Sequence, residues 1–184
     1  MSNPKLNILI SGSGIAGATA AFYLHQSGFN VTVVERAPSV RPQGQNIDVR
    51  GPGVRVIHEM GVEDTIRNNL TGEIGMRFVD ENNVVRGEFA ADQSGQTQTF
   101  TSDIEILRGT LAKVLYEHVK DKAEWIFGDY INKIEHSEEK VHVTFAKGTL
   151  PRDFDLIVGA DGLFSQTRNL AFEEINQDVI KSLG

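Results

Sequence analysis

At 184 residues the chain is long enough to bury a core, and its length fits one domain rather than a large two-domain enzyme. With 40% apolar, 23% charged and 8% aromatic residues it reads as an ordinary soluble globular protein, which argues against a disordered or membrane-embedded class. A formal net charge of -7 gives no general attraction to nucleic acid or anionic lipid, and the lack of cysteine removes disulfides, thiolate metal sites and cysteine nucleophiles together.

Residues Met1 to Lys5 lead directly into Leu6 to Ile10, a run too short for a signal-peptide core and interrupted by Asn7. No stretch reaches the apolar length of a membrane span, so a soluble, cytoplasmic protein without membrane or nucleic-acid partners is expected. Leu6 to Ile10 reads as a strand buried on both faces of a parallel sheet. Ile15 to Gln26, rich in Ala and long apolar side chains, reads as a helix closed by Gly28. Asn30 to Glu35 is β-branched and reads as a second parallel strand, completing a βαβ unit. A polar loop follows to Asn46, then a short extended segment Ile47 to Arg50. A helix from Val54 to Met60 is initiated by Pro52 and closed by Gly61, and a short helix spans Glu63 to Leu70.

From Thr71 the character changes. Ile74 to Val79 and Val84 to Phe89 read as a hairpin about the turn Asp80 to Asn83, and Thr97 to Phe100 as a ragged strand. Gly109 to His118 reads as a helix opened by Arg108. Glu124 to Phe127 is a short strand. Asn132 to Ser137 and Val141 to Phe145 form a second hairpin, and Phe154 to Val158 returns to the buried parallel type. Both hairpins are candidates for a substrate wall. The five histidines lie in helices and polar hairpin positions without a metal spacing, so no metal is expected.

The chemistry is concentrated at Gly12-Ser13-Gly14-Ile15-Ala16-Gly17, directly after the first strand. Gly12 allows a tight turn, Gly14 a close backbone approach to a pyrophosphate, and Gly17 close packing of helix on sheet. The first turn of the helix, Ile15 and Ala16 included, offers unpaired N–H groups to phosphate. Glu35 follows Gly12 by 23 positions, at the end of the second strand, where a carboxylate accepts from adenosine ribose hydroxyls. Its other reading is a polar cap on an apolar strand. Arg36 either serves the same ribose region or lies in solvent. A 2′-phosphate beside Glu35 would be repelled, which disfavours a dedicated NADP site. The βαβ unit alone does not separate FAD from NAD, but the polar hairpins that interrupt the sheet depart from a simple NAD domain.

Three segments carry a family resemblance: the glycine motif with Glu35-Arg36, then Ile106-Leu107-Arg108-Gly109-Thr110-Leu111, then Leu156-Ile157-Val158-Gly159-Ala160-Asp161-Gly162-Leu163-Phe164-Ser165-Gln166-Thr167-Arg168. With these the sequence resembles the FAD-dependent aromatic hydroxylases, the para-hydroxybenzoate hydroxylase-like flavin monooxygenases that include the tetracycline-inactivating monooxygenase. The resemblance implies an α/β fold with a Rossmann-like FAD-binding βαβ sheet and inserted antiparallel hairpins. Family members are about twice as long, so it also implies a truncated, N-terminal part of the pattern. Residues 1–70 and 103–170 are expected to form a discontinuous and incomplete FAD-binding domain, 71–102 an inserted β segment of a partial substrate domain, and 171–184 an unassigned tail.

The implied activity is NAD(P)H-dependent hydroxylation of an aromatic or electron-rich small molecule through a flavin C4a-hydroperoxide, with NAD(P)H as a transient reductant and no assigned catalytic residue. In the family the arginine matching Arg108 approaches the flavin pyrophosphate and ribityl region; the bland reading is a salt bridge to Glu105 or Asp103. Arg50 lies in a loop, with Gln45 and Asp48, that matches the flavin-ring region, against a plain surface role. Asp161 and Gly162 stand where open α/β sheets bind ligands, against Asp161 as a helix cap. A partial chain implies a homo-oligomer or a complementing C-terminal chain as partner. Two other functions remain: a noncatalytic or non-redox FAD-binding protein, and an NAD(P)-dependent reductase.

Overall fold

The computed structural model of the chain describes residues 5–90 and 102–172. The expected strand Thr97 to Phe100 and all of the tail beyond Phe172 lie outside the described residues. In chain order the elements begin β1 (Asn7–Ser11), α1 (Ile15–Gln26), β2 (Asn30–Glu35), β3 (Asn46–Asp48), α2 (Pro52–Glu59) and α3 (Glu63–Arg67). The hairpin strands β4 (Gly75–Val79) and β5 (Val85–Ala90) follow, then β6 (Glu105–Leu107) and α4 (Arg108–Val119). A 3-10 turn at Lys120–Lys122 leads to β7 (Glu124–Phe127), β8 (Ile131–His136), β9 (Val141–Phe145), β10 (Arg152–Phe154), β11 (Leu156–Gly159) and α5 (Gln166–Ala171). Two compact units result, residues 1–41 with 115–184, and residues 42–114.

The first unit is built on a four-stranded parallel sheet in the order β11-β1-β2-β7. β1 and β2 are β-branched or leucine-rich on both faces because both faces are covered, and Ile8, Leu9 and Ile10 are at most 3% exposed. Strand alternation sends Leu9 and Val34 into one core with Ile131, Val143, Phe145 and Phe154, and Ile10, Val31 and Val33 into another with Ala21 of α1. Each fully buried Leu or Ile contributes about 1.5–3 kcal/mol of transfer free energy. On the α1 side, Phe22 meets the His118 ring at 5.5 Å, and Tyr116 meets Trp125 edge-on at 4.9 Å. Burial and the Lys122 ammonium together push the His118 imidazole below its ordinary value.

The other face is covered by a three-stranded antiparallel sheet, β10-β9-β8. The hairpin read as a substrate wall therefore spends its apolar face, Val143 and Phe145, on the core. The expected single strand Phe154 to Val158 divides at Asp155: Phe154 pairs antiparallel with Val141, and Leu156 pairs parallel with Ile8. β11 is also not buried on both faces as expected. Its outer side carries no neighbour among the described strands, and Leu156 is 51% exposed. Asp155 joins the two sheets, its N–H donating to the Asn7 carbonyl at 2.8 Å and its Oδ2 accepting from the Asn7 N–H at 2.7 Å. Lys140 is ion-paired to its other oxygen.

A second tie lies at Asp129, only 3% exposed, between β7 and β8. Its Oδ1 accepts from the N–H groups of Tyr130, Ala146 and Lys147, and its Oδ2 from that of Thr149. Burial pushes this carboxyl up, but the hydrogen bonds outweigh it and hold Asp129 below the usual range.

The second unit pairs β3 with β6 and β4 with β5, both antiparallel. Val49, Ile57, Met60, Val62, Ile66, Ile104, Ile106, Leu111 and Ala112 are its buried apolar side chains among the described residues. Pro52 occupies the first turn of α2, where a missing N–H costs nothing. Arg67 holds the end of α3 through Glu63 at 2.8 Å and Asp103 at 3.3 Å. β6 is a strand that the composition of Glu105–Leu107 does not announce. Among the described residues no helix is long and apolar enough to cross a membrane.

Candidate cofactor site

The carboxyl ends of β1 and β2 and the start of α1 meet at the glycine motif. Gly12 has φ +106°, and a Cβ there would lie 2.5 Å from the Ala160 carbonyl oxygen, so this turn and the loop after β11 are in backbone contact. A Cβ on Gly17 would lie 1.9 Å from the Gly12 carbonyl oxygen. Gly12 and Gly17 are therefore glycines for reasons internal to the protein. Gly14 differs: it precedes α1 in an extended conformation, and a Cβ there would meet nothing within 4 Å. The N–H groups of Ile15, Ala16 and Gly17 that follow belong to the first turn of α1, which leaves them without intrahelical acceptors. That geometry fits an anion brought close to the backbone.

Glu35 ends β2 and is 8% exposed. Its Oε2 accepts from the Ser13 N–H at 3.0 Å and the Ser13 hydroxyl at 3.1 Å, and its Oε1 from the Ala37 N–H at 2.9 Å. The Arg41 guanidinium stands 3.6 Å from Oε1 with a largely exposed side chain. Burial alone would raise the Glu35 pKa, but these donors prevail and keep the carboxyl below its ordinary value. The group is an anion locked to the glycine loop. Ser13 and Arg41 were not singled out from the sequence, since their roles depend on a contact across 22 positions and on a loop without periodicity. Arg36, next to Glu35, is exposed.

Asp161 follows β11. Its Oδ1 accepts from the Ser165 hydroxyl and its Oδ2 from the Thr167 N–H at 3.0 Å and the Thr167 hydroxyl at 2.9 Å. Ser165 in turn caps α5 by accepting from the Arg168 N–H at 2.9 Å. Burial raises the Asp161 carboxyl, and the same hydrogen bonds more than reverse the shift. This is the capping alternative, and Arg168 donates to the Leu163 carbonyl at 3.0 Å. Gly162 beside it has φ +87° and open space at its Cβ position. The structure thus brings Gly12, Gly14, Ile15, Ala16, Gly17, Glu35, Asp161 and Gly162 to one end of the parallel sheet.

Arg50 and Arg108 belong to the other unit. Arg50 pairs with Asp48 at 2.7 Å. Arg108 opens α4 with its N–H on the Gln45 carbonyl at 3.0 Å, and a Cβ on Gly44 would lie 2.8 Å from its Cβ. The alternative reading of Arg108, an ion pair with Glu105 or Asp103, is not formed: Asp103 takes Arg67, and Glu105 takes Asn46 and Thr71. Its exposed guanidinium is placed at a helix start, where the backbone dipole favours negative charge.

A family model described as an FAD binding domain matches residues 5–180. The FAD-dependent monooxygenase asL4 of Sarocladium schorii is 40% identical over 169 residues, covering 91% of this chain and 39% of that protein. The flavin-dependent monooxygenase eupH of a Phoma species is 38% identical over 187 residues, covering 98% of this chain and 43% of its own length. Among solved structures, tetracycline destructase Tet(55) superposes with a TM-score of 0.80 at 31% identity, over 94% of this chain and 42% of the destructase. CtdE in complex with FAD has the same fold, with a TM-score of 0.77 at 18% identity, over 90% of this chain and 40% of that one. The chain spans less than half the length of these proteins.

Proposed function

Because the chain belongs to the FAD-binding domain family, we propose that it is the FAD-holding part of an NAD(P)H-dependent monooxygenase acting on an aromatic or otherwise electron-rich small molecule. The observation that carries this reading is the unobstructed Cβ position of Gly14 at the start of α1, next to Ser13, whose N–H holds the Glu35 carboxylate. The N–H groups of Ile15, Ala16 and Gly17 receive the pyrophosphate, and the Gly14 backbone lets it approach. Glu35 accepts from the adenosine ribose, with Arg36 at its edge. Asp161 acts as a positioning residue, fixing the turn in which the Gly162 backbone faces the cofactor. Arg108 and Arg50 supply positive charge to the phosphates and the flavin end.

When bound, FAD supplies the redox chemistry, with NAD(P)H as reductant and dioxygen as oxidant. The protein's part is to bind, orient and exclude water. The relatives' greater length supports a substrate pocket completed by further sequence, in the same chain, a complementing chain or a second copy. The test is an absorption spectrum of the purified chain after FAD is added and excess removed, followed by NADH and NADPH oxidation. Retained flavin with a shifted band is expected; failure to retain FAD overturns the reading. Retained flavin without reductant oxidation, even when the corresponding C-terminal portion of a relative is supplied, would favour a non-redox FAD-binding protein.

A further inference from the structure

Arg108 is held by its stem, while its charged head is left to solvent. A Cβ on Gly44, where φ is +145°, would lie 2.8 Å from the Arg108 Cβ and 3.3 Å from both its Cγ and its Cδ. The space that a side chain at position 44 would need is thus filled by three carbons of Arg108. Other contacts fix this loop on the start of α4. The Arg108 N–H donates to the Gln45 carbonyl at 3.0 Å, and a Cβ on Gly109 would lie 1.9 Å from the Pro42 carbonyl oxygen. The loop then runs into β3, whose Asn46 pairs with Leu107, the residue before Arg108. With Pro42, Gln45 and Asn46 all tied, Gly44 cannot draw back from the stem without breaking backbone contacts. The neighbouring carboxylates do not discharge the head, since Asp103 takes Arg67 and Glu105 takes Asn46 and Thr71. A free arginine loses rotamer entropy when its head is bound, whereas one lying against fixed backbone has lost part of it in folding.

We infer that Gly44 is a positioning residue for phosphate binding: by lacking a side chain it lets the 42–45 loop confine the Arg108 stem, so that the guanidinium meets a cofactor phosphate with its rotamer freedom already reduced. This rests on the FAD reading above, in which Arg108 serves the phosphates. Gly44 acts on the ligand only through Arg108, and Gly109 keeps the loop close enough for it to do so.

The test is a double-mutant cycle of Gly44→Ala and Arg108→Ala in the full chain, with FAD affinity read by flavin fluorescence and stability by urea titration. Arg108→Ala is expected to weaken FAD binding about tenfold, the loss of a charge-assisted hydrogen bond. Gly44→Ala, whose methyl would displace the Arg108 stem, is expected to weaken it about fivefold in the unaltered background and less than about twofold where Arg108 is already alanine. Its lowering of the urea midpoint comes from the strained φ and should persist in both backgrounds. An equal FAD loss from Gly44→Ala in the two backgrounds, or no loss in the unaltered one, would overturn the inference, as would an Arg108→Ala variant that binds FAD like the unaltered chain. If Gly44→Ala fails to fold, 13C relaxation of the Arg108 Cδ in the unaltered, ligand-free chain decides the point. An order parameter above about 0.6 is expected there, and one below it, in the range of flexible segments, would overturn the inference. Failure of the unaltered chain to retain FAD would instead sink the FAD reading, with the relaxation measurement still judging whether the stem is confined.

Discussion

Gly14 and Gly17 stand three positions apart in one motif and answer to different demands. A methyl group on Gly17 would sit 1.9 Å from the Gly12 carbonyl oxygen, whereas one on Gly14 would meet nothing within 4 Å. Gly17→Ala is therefore expected to cost about 1–3 kcal/mol of stability, as overpacking against fixed backbone does. Gly14→Ala should change stability by less than about 1 kcal/mol, the scale of a helix-cap effect. It should nonetheless weaken FAD binding by at least about tenfold, because its methyl occupies the approach to the first turn of α1. Urea titration and FAD titration of the two variants separate these outcomes. At this scale the motif glycines and Glu35 were legible because each has a fixed place along the chain. The Ser13 hydroxyl was not, since its meaning lies in the side chain it touches.

At the scale of elements, α1, β2, β7 and β9 fall where periodicity put them, at Ile15–Gln26, Asn30–Glu35, Glu124–Phe127 and Val141–Phe145. The apolar run from Phe154 to Val158 misled, because two strands of opposite direction share it and only Asp155 marks the change. β6 is held by its pairing with β3, a long-range partner that three residues cannot announce. Asp129 reads as an ordinary turn aspartate after Gly128, yet four backbone N–H groups from two turns converge on it. Asp129→Ala leaves the Tyr130, Lys147 and Thr149 N–H groups without this acceptor, while Ala146 keeps the Tyr130 carbonyl at 3.0 Å, and is expected to destabilise the protein by about 2–3 kcal/mol. The single tryptophan, Trp125, packs on the sheet joined to this turn, so its fluorescence in a urea titration reads the loss directly. An unchanged midpoint would mean that the turns are held by strand pairing alone.

For the whole molecule, the acid response follows mainly from groups of one sign, with Glu73, raised by burial, as an exception. Glu35, Asp129 and Asp161 each sit below their ordinary values in the folded protein. A carboxyl with a depressed folded pKa stabilises fully above its unfolded value, and that contribution is lost as pH falls through the folded one. His118, also depressed, has the same sign and acts nearer neutrality, because the unfolded chain takes up its proton first. The urea midpoint is thus expected to be level above about pH 6.5, to slope gently downward below it, and to fall steeply below about pH 4. A midpoint constant down to pH 3 would contradict this assignment. The His118→Gln variant should lose the gentle slope and keep the steep one.

Asp155 gives the architecture a further property. The chain passes from the antiparallel sheet to the parallel one in a single residue, pinned to Asn7 by both its backbone and its side chain. There is no slack at that junction and hence no hinge. The covering sheet cannot swing on the nucleotide sheet as a lid would, so the floor beneath Glu35 and the glycine loop behaves as a fixed platform, and any opening needed to admit a ligand has to come from elsewhere in the protein.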